Sequence, residues 1–213
     1  MPPLKTTPCK RRAALVALLA LSLGLSACSG LVPRTTSSVD IYDFGPMPVR
    51  AETHRNWQMG IEVRMPVWYD ALPVDYRLDY DDPLLQRAYA NSRWAAAPAV
   101  MIGRHLRRQL GLNETGLASD CLLRVEVEEF VQVFSTPQAS RGVLNANVTL
   151  VDAKRRPLSS LPVLLEEAAA SPDARGGVHA LVVTAGRLGE RIDAWLGGLA
   201  QEGRISSCLP RPG

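Results

Sequence analysis

Alternation of apolar and polar side chains in the second half of the chain is the feature that most constrains its fold. Residues 121–133 alternate, and only Glu129 interrupts the apolar set, which is Cys121, Leu123, Val125, Val127, Val131 and Val133. Residues 142–152 repeat the pattern after a short loop. Because successive side chains of a strand point to opposite faces, this period predicts strands with one buried face. A second layer must cover that face.

Two other segments have a helical period and can supply that layer. Residues 98–110 and 178–199 each carry apolar side chains at three- and four-residue spacing. Shorter strands are predicted at residues 39–44, 58–65, 76–80 and 158–168. The resulting order, βββα-βββα, predicts one α+β domain over residues 39–202 with a C-terminal tail at 203–213. We expect a two-layer sandwich, a mainly antiparallel sheet covered on one face by two amphipathic helices.

The first 27 residues have the composition of a signal peptide. Lys10, Arg11 and Arg12 precede an uncharged stretch at 13–25, which is shorter than the ~20 apolar residues of a membrane span. The stretch ends in Leu-Ser-Ala-Cys, which resembles the lipobox of bacterial lipoproteins and predicts lipidation of Cys28. Residues 28–38 then form a lipidated flexible tether. The alternative is an ordinary cleavage near residue 27.

Lipidation also predicts where the protein resides. Two or three acyl chains anchor a protein firmly, whereas a single chain holds it only marginally. Ser29 follows the cysteine, at a position where an Asp would resemble an inner-membrane retention signal. We therefore expect a lipid-anchored protein on the periplasmic face of the outer membrane of a Gram-negative bacterium.

Charge and cysteine usage narrow the function further. The whole chain has 24 basic and 21 acidic residues, but its first 27 residues hold four basic and no acidic ones, which leaves 20 against 21. A nearly neutral domain offers no electrostatic argument for binding nucleic acid. Beyond the inner membrane, where thiols are oxidised, Cys121 and Cys208 are candidates for a disulfide. The alternative is two free buried cysteines.

No motif in the sequence indicates catalysis. His54, His105 and His179 do not have the spacing of metal ligands, and there is no nucleophile elbow or phosphate-binding glycine loop. The adjacent pairs Glu128-Glu129 and Glu166-Glu167 point to opposite faces of a strand, so neither forms an acid/base dyad. We therefore predict a protein that is not an enzyme and needs no metal or cofactor.

Aromatic residues are the candidate contacts with a partner or a lipid. Trp68 and Tyr69 belong to a group of six Trp and Tyr side chains within 27 residues, and such side chains suit interfaces as well as cores. Phe130 and Phe134 fall on the polar face of their strand. Either a bulge near Glu128-Glu129 turns them inward, or they form an apolar patch for a partner.

The arginines of the first helix raise a similar question. Arg104, Arg107 and Arg108 lie on its polar side and could meet lipid headgroups, but the favoured interpretation is a solvated helix face.

Several longer stretches resemble one family. They are a Y-x-F strand after the lipobox, YRLDYDDPLLQRAYANSRWAAAPAVMIGRHLRRQL at residues 76–110 with its W-A-x-x-P motif, and LRVEVEEFVQVF at 123–134. Together with the C-terminal helix, they are similar to the ABC-type transport auxiliary lipoproteins, the family of the paraquat-inducible outer-membrane lipoprotein. The pair Cys121 and Cys208 is not a feature of that family as a whole.

The resemblance implies partners and a role. Members of the family work with an ABC permease, its ATPase and a membrane-anchored MCE-domain protein, which together carry lipids or other apolar substrates between the inner and outer membranes. This chain would be the non-enzymatic outer-membrane component, and a homo-oligomer is possible because MCE proteins form rings. The alternatives are a lipoprotein that assists assembly or plugging of an outer-membrane β-barrel, and a secreted hydrolase with a scattered site.

Overall fold

The computed structural model describes residues 38–46, 57, 59–112 and 121–209. The predicted signal peptide, Cys28, the tether up to residue 37 and His54 lie outside the described residues. The elements are β1 (Asp40–Tyr42), β2 (Met59–Arg64), a 3-10 helix (Val67–Asp70), β3 (Pro73–Leu78), β4 (Asp82–Trp94), α1 (Pro98–Gln109), β5 (Cys121–Thr136), β6 (Ala139–Asp152), β7 (Pro157–Ala168), α2 (Ala174–Gln201) and a second 3-10 helix (Ser206–Cys208).

The strands form one mixed seven-stranded sheet in the order β1-β4-β3-β5-β6-β7, with β2 also paired to β5. Three pairings are antiparallel, β3–β4, β5–β6 and β6–β7. The other three, β1–β4, β2–β5 and β3–β5, are parallel. The α+β class is therefore confirmed. Strands β5–β7 form an antiparallel meander, but the sheet as a whole is mixed and not mainly antiparallel as predicted, because β1, β2 and β3 each run parallel to a neighbour.

The order of elements differs from the prediction by one strand. Four strands precede the first helix, because residues 82–94 form β4. The sequence DPLLQRAYANSRW does not alternate strictly, and its first four residues are exposed, so it has no period of two to recognise. Its pairing with β3 and β1 gives these residues their strand conformation.

The helices and the alternating strands share the core. Helix α2 packs on β5, β6 and β7, and α1 packs on β2 and α2. The predicted stripe of α2 is largely buried at Leu181, Ala185, Leu188, Ile192 and Leu199, and it meets the first half of the apolar set of β5 and that of β6 in one cluster. Val131 and Val133, beyond residue 128 of β5, form a separate small cluster with Val143. Burying each such side chain contributes about 1.5 to 3 kcal/mol. Helix α2 begins four residues earlier than predicted, because the Asp173 side chain accepts from the Gly176 backbone N–H at 2.8 Å.

A β-bulge in β5 decides the orientation of its two phenylalanines. The pairing with β6 shifts between Val127 and Glu129, which leaves Glu128 as the extra residue. One extra residue reverses the side-chain alternation, so Phe130 and Phe134 turn into the protein. They are 2% and 6% exposed, so the structure has the first of the two predicted alternatives, and Phe130 and Phe134 are not candidates for a partner contact.

The predicted disulfide is present. Cys121, the first residue of β5, is bonded to Cys208 across a Cα–Cα distance of 5.5 Å, and both are fully buried. Part of the predicted tail thus belongs to the folded domain, since Ile205 is also buried in the core. Within the described residues, no helix has the length and apolar character needed to cross a membrane.

Candidate functional site

The 3-10 helix at Val67–Asp70 contains Trp68 and Tyr69, two adjacent candidate contact residues that differ in exposure. Trp68 is 62% exposed, whereas Tyr69 is 4% exposed, so Tyr69 is part of the core and its prediction as a contact residue is wrong. Val67 and Leu72 are exposed beside Trp68 in the sequence. We call Val67, Trp68 and Leu72 the Trp68 surface. Within six residues of sequence, this segment thus exposes three large apolar side chains, and exposed apolar side chains that lie together mark interaction sites.

The Trp68 surface is held on a rigid base. The Phe130 backbone N–H donates to the Tyr69 hydroxyl at 3.3 Å, next to the bulge in β5. The Tyr69 backbone N–H donates to the Pro66 carbonyl at 2.9 Å, and the Trp94 N–H donates to the Leu72 carbonyl at 2.6 Å. Burial raises the pKa of the Tyr69 hydroxyl and outweighs the opposite effect of the Phe130 N–H. A preorganised surface loses less entropy on binding than a mobile one.

Aromatic rings fill the space beneath this region. Trp94 lies 5.6 Å from Phe130 and 6.0 Å from Phe44, measured between ring centroids, and Phe44 also lies against His105. These pairs adopt tilted or edge-to-face arrangements, which aromatic rings prefer. The six Trp and Tyr side chains of the group therefore divide evenly: Tyr69 and Trp94 are buried, Tyr76 and Tyr89 are half-buried, and Trp68 and Tyr80 are exposed.

A network of polar side chains is buried between the sheet and α2. The Gln132 side chain is fully buried and accepts from the Tyr89 hydroxyl at 3.0 Å. Its amide donates to Ser140 Oγ at 2.8 Å and to the Asp173 carbonyl at 3.1 Å. Gln132 therefore joins β4, β5, β6 and the beginning of α2. Because its polar atoms are satisfied internally, this network reads as structural.

The two described histidines lie on different helices and differ in burial. His105 on α1 is 4% exposed, and neither ring nitrogen has a hydrogen-bond partner. Burial lowers its pKa. His179 is exposed on α2. No group of three or more His, Cys, Asp or Glu side chains that could hold a metal ion occurs in the part of the chain that the structure describes.

A cleft of ≈ 340 Å³ opens between the end of β1 and α1. Its lining consists of Asp43, Phe44, Gly45, Ala95, Ala96, Met101 and Arg104. The Ala95 backbone N–H donates to the Tyr42 carbonyl at 2.8 Å, which fixes the two sides against each other. Sequence reasoning did not find this cleft, because its residues come from three separate segments. The only signal was that two of these segments, Y-x-F and W-A-x-x-P, belong to the stretches that carry the family resemblance.

Comparison with known proteins identifies the fold. The structure is similar to the crystal structure of a Xanthomonas campestris protein described by the family model DUF330, with a TM-score of 0.66 and 16% sequence identity. The match covers 78% of this chain and 98% of that protein. A second crystal structure, of an uncharacterized protein, has a TM-score of 0.59 and 17% identity over 75% of this chain and 99% of its own. No family model and no curated protein matches the sequence. The chain thus shares the fold of these proteins.

Proposed function

We propose that this protein is a non-enzymatic, lipid-anchored component of an ABC/MCE-type system that moves lipids or other apolar substrates between the inner and outer membranes. Lipid on Cys28 would hold it on the periplasmic face of the outer membrane. In this proposal the two helices form one layer over one face of the sheet. The partners are the MCE-domain membrane protein and the ABC permease and ATPase of the same system.

The observation that carries the proposal is the Trp68 surface. A rigidly held, exposed Trp flanked by two exposed aliphatic side chains is suited to fill an apolar pocket on another protein. Tryptophan is enriched among the residues that dominate binding energy at interfaces. The lipobox and the stretches that resemble the auxiliary lipoproteins name the class of partner, and the surface supplies a place for it to dock.

Site-specific crosslinking tests the proposal directly. Trp68 is replaced by the photo-crosslinking amino acid p-benzoylphenylalanine in the full-length protein, which is irradiated in its native membranes. Leu164 on β7 receives the same replacement as a control, since it is 64% exposed and Trp68 is 62% exposed. We expect mass spectrometry to identify an MCE-domain protein in the crosslinked product of position 68 and not in that of position 164.

The substitution Trp68→Ala gives a second measurement. Because the side chain is exposed, its removal should change the free energy of unfolding by no more than about 0.5 kcal/mol. Co-purification of the MCE-domain protein should nevertheless fall severalfold, while Leu164→Ala leaves it unchanged. A crosslink from position 68 to a β-barrel protein alone would replace the proposal with the β-barrel assembly function. Equal crosslinking at the two positions, or no crosslink, would contradict the proposal that the Trp68 surface contacts a partner.

A further inference from the structure

One wall of the cleft between β1 and α1 is apolar. Phe44 packs against Trp94 and His105, and Met101 is 9% exposed on the first turns of α1. Ala95 and Ala96, between β4 and α1, are small residues that leave the space open. The hydrogen bond from Ala95 N–H to the Tyr42 carbonyl fixes the width of this region in the folded protein. Its volume lies at the lower end of the ~300–1,000 Å³ of small-molecule sites.

Two opposite charges line the same cleft. The Asp43 carboxylate accepts one hydrogen bond, from the Gly45 backbone N–H at 2.8 Å, and makes no ion pair with any described residue. Arg104, like Arg107 and Arg108 on the same helix, has neither an ion pair nor a side-chain hydrogen bond among the described residues, but of these three arginines only Arg104 lines the cleft. Among the described residues, no ion pair neutralises this carboxylate or this guanidinium, and both line the cleft beside its apolar wall.

We propose that this cleft binds a zwitterionic single-chain amphiphile with a phosphoethanolamine headgroup, the chemistry of a lysophospholipid. The phosphate would bind the Arg104 guanidinium, which has the planar fork of donors that phosphate oxygens accept. The ammonium group would bind the Asp43 carboxylate, and the start of the acyl chain would lie against Phe44 and Met101. This inference rests on the proposed transport function and names a ligand class within it.

Charge and size select this ligand over related ones. A fatty acid would satisfy Arg104 but would place a second carboxylate near Asp43, and like charges at a site repel. A cationic amphiphile would meet the same difficulty at Arg104. The cleft of ≈ 340 Å³ offers one apolar wall for the start of one acyl chain, and its lining gives a second chain no further large apolar side chain to contact. Only a headgroup with both charges pairs both side chains.

Photolabelling in vitro tests the inference. The full-length protein is purified in a nonionic detergent and irradiated with lysophosphatidylethanolamine whose acyl chain carries a diazirine. Lysophosphatidylglycerol and a monoacylglycerol with the same chain are the anionic and neutral comparisons. We expect the zwitterionic probe to label peptides containing Phe44 or Met101 at least fivefold more than the neutral probe does.

Three variants that each remove one charge test which charged side chains bind the headgroup. Arg104→Gln should reduce labelling by the zwitterionic probe at least fivefold. Asp43→Asn should reduce it as well but increase labelling by the anionic probe, because it removes the repulsion while keeping the acceptor for the Gly45 N–H. The matched control is Arg108→Gln, an exposed arginine one turn further along α1 that does not line the cleft, and it should leave labelling unchanged. Equal labelling by all three probes, or variants that behave like Arg108→Gln, would overturn the inference.

The two proposals can fail separately. If Trp68 crosslinks to an MCE-domain protein while the cleft shows no preference among probes, the transport function stands and the lysophospholipid site falls. If the cleft labels selectively while no MCE-domain protein is found, the site stands as a lipid-binding site of a protein with another role. Labelling confined to peptides away from Phe44 and Met101 counts against the site in either case.

Discussion

Two buried polar side chains differ in whether their polar atoms are hydrogen-bonded. Gln132 is fully buried, and its oxygen and amide are both bonded to protein groups. His105 is almost as buried, and its ring nitrogens have no partner among the described residues. An unpaired buried polar group costs about 1 to 3 kcal/mol, so His105 is a weak point of the packing between α1 and its neighbours.

His105 should make the stability of the protein depend on pH. Burial lowers its pKa in the folded state, while in the unfolded chain the imidazole takes up a proton near its ordinary value of 6.5. The unfolded state therefore binds more protons as pH falls below about 6.5, and stability decreases by up to about 1.4 kcal/mol per pH unit until the folded pKa is reached. Above about pH 6.5 the imidazole is neutral in both states, and His105 then causes no pH-dependent loss of stability.

Urea denaturation at several pH values between 5 and 8 measures this effect. The variant His105→Gln should lose the part of the slope that begins near pH 6.5. The control His179→Gln removes an exposed histidine of α2 and should keep the wild-type slope. Parallel slopes for the two variants would show that His105 is not the group that responds.

At the scale of elements, the close approach of α2 to the sheet depends on glycine. A Cβ atom on Gly142 of β6 would lie 2.8 Å from the Leu181 backbone nitrogen of α2, and one on Gly177 would overlap the Gln132 side chain. Gly177 lies in the first turn of α2, where the Gln132 amide also reaches the Asp173 carbonyl. The helix can bind the polar network only because this position has no side chain.

The variant Gly177→Ala should therefore destabilise the protein, although the same change in a helix usually stabilises it by up to about 1 kcal/mol. Displacing Gln132 from its well-packed site should cost about 1 to 3 kcal/mol. Gly198→Ala in the same helix is the matched control, since nothing lies within 4 Å of the added atom. Denaturation midpoints compare the two, and a Gly177→Ala protein as stable as Gly198→Ala would contradict the steric argument.

At the scale of the whole molecule, the disulfide joins the start of β5 to the end of the described chain. Cys121 and Cys208 are 87 residues apart in sequence, and the segment they enclose includes β5, β6, β7 and α2. Ile205 and Cys208 are both in the core, so the bond also keeps the last residues packed against it. It closes a long loop in the unfolded chain, where such a crosslink restricts the ensemble most.

Loss of this bond should lower global stability considerably. In the chain-entropy model, a loop of this length corresponds to about 4 to 5 kcal/mol at 25 °C. The double variant Cys121→Ser, Cys208→Ser should therefore unfold at a markedly lower denaturant concentration than the wild-type protein. Adding a reductant should shift the wild-type midpoint toward that of the variant and leave the variant unmoved. A variant with an unchanged midpoint would contradict the prediction.

Sequence reasoning succeeded where the signal was local and failed where it was not. The strands at 121–133 and 142–152 and both helices were found because each has a period that its own residues display. Strand β4 was missed because its residues do not alternate, and its conformation comes from pairing with β1 and β3. The sequence left two orientations open for Phe130. A bulge can be suspected from Glu128-Glu129, but only the register with β6 locates it.

The sequence by itself determined the α+β class, the buried face of β6 and of the first half of β5, the apolar stripe of α2 and the pairing candidates among the cysteines. These follow from periodicity and residue type, which act between near neighbours along the chain. The tertiary structure alone decided that Trp68 is exposed while Tyr69 is buried, that Gln132 bridges four elements and that Asp43 and Arg104 line one cleft. Those outcomes depend on contacts between distant segments, and their register and packing set which side chains meet.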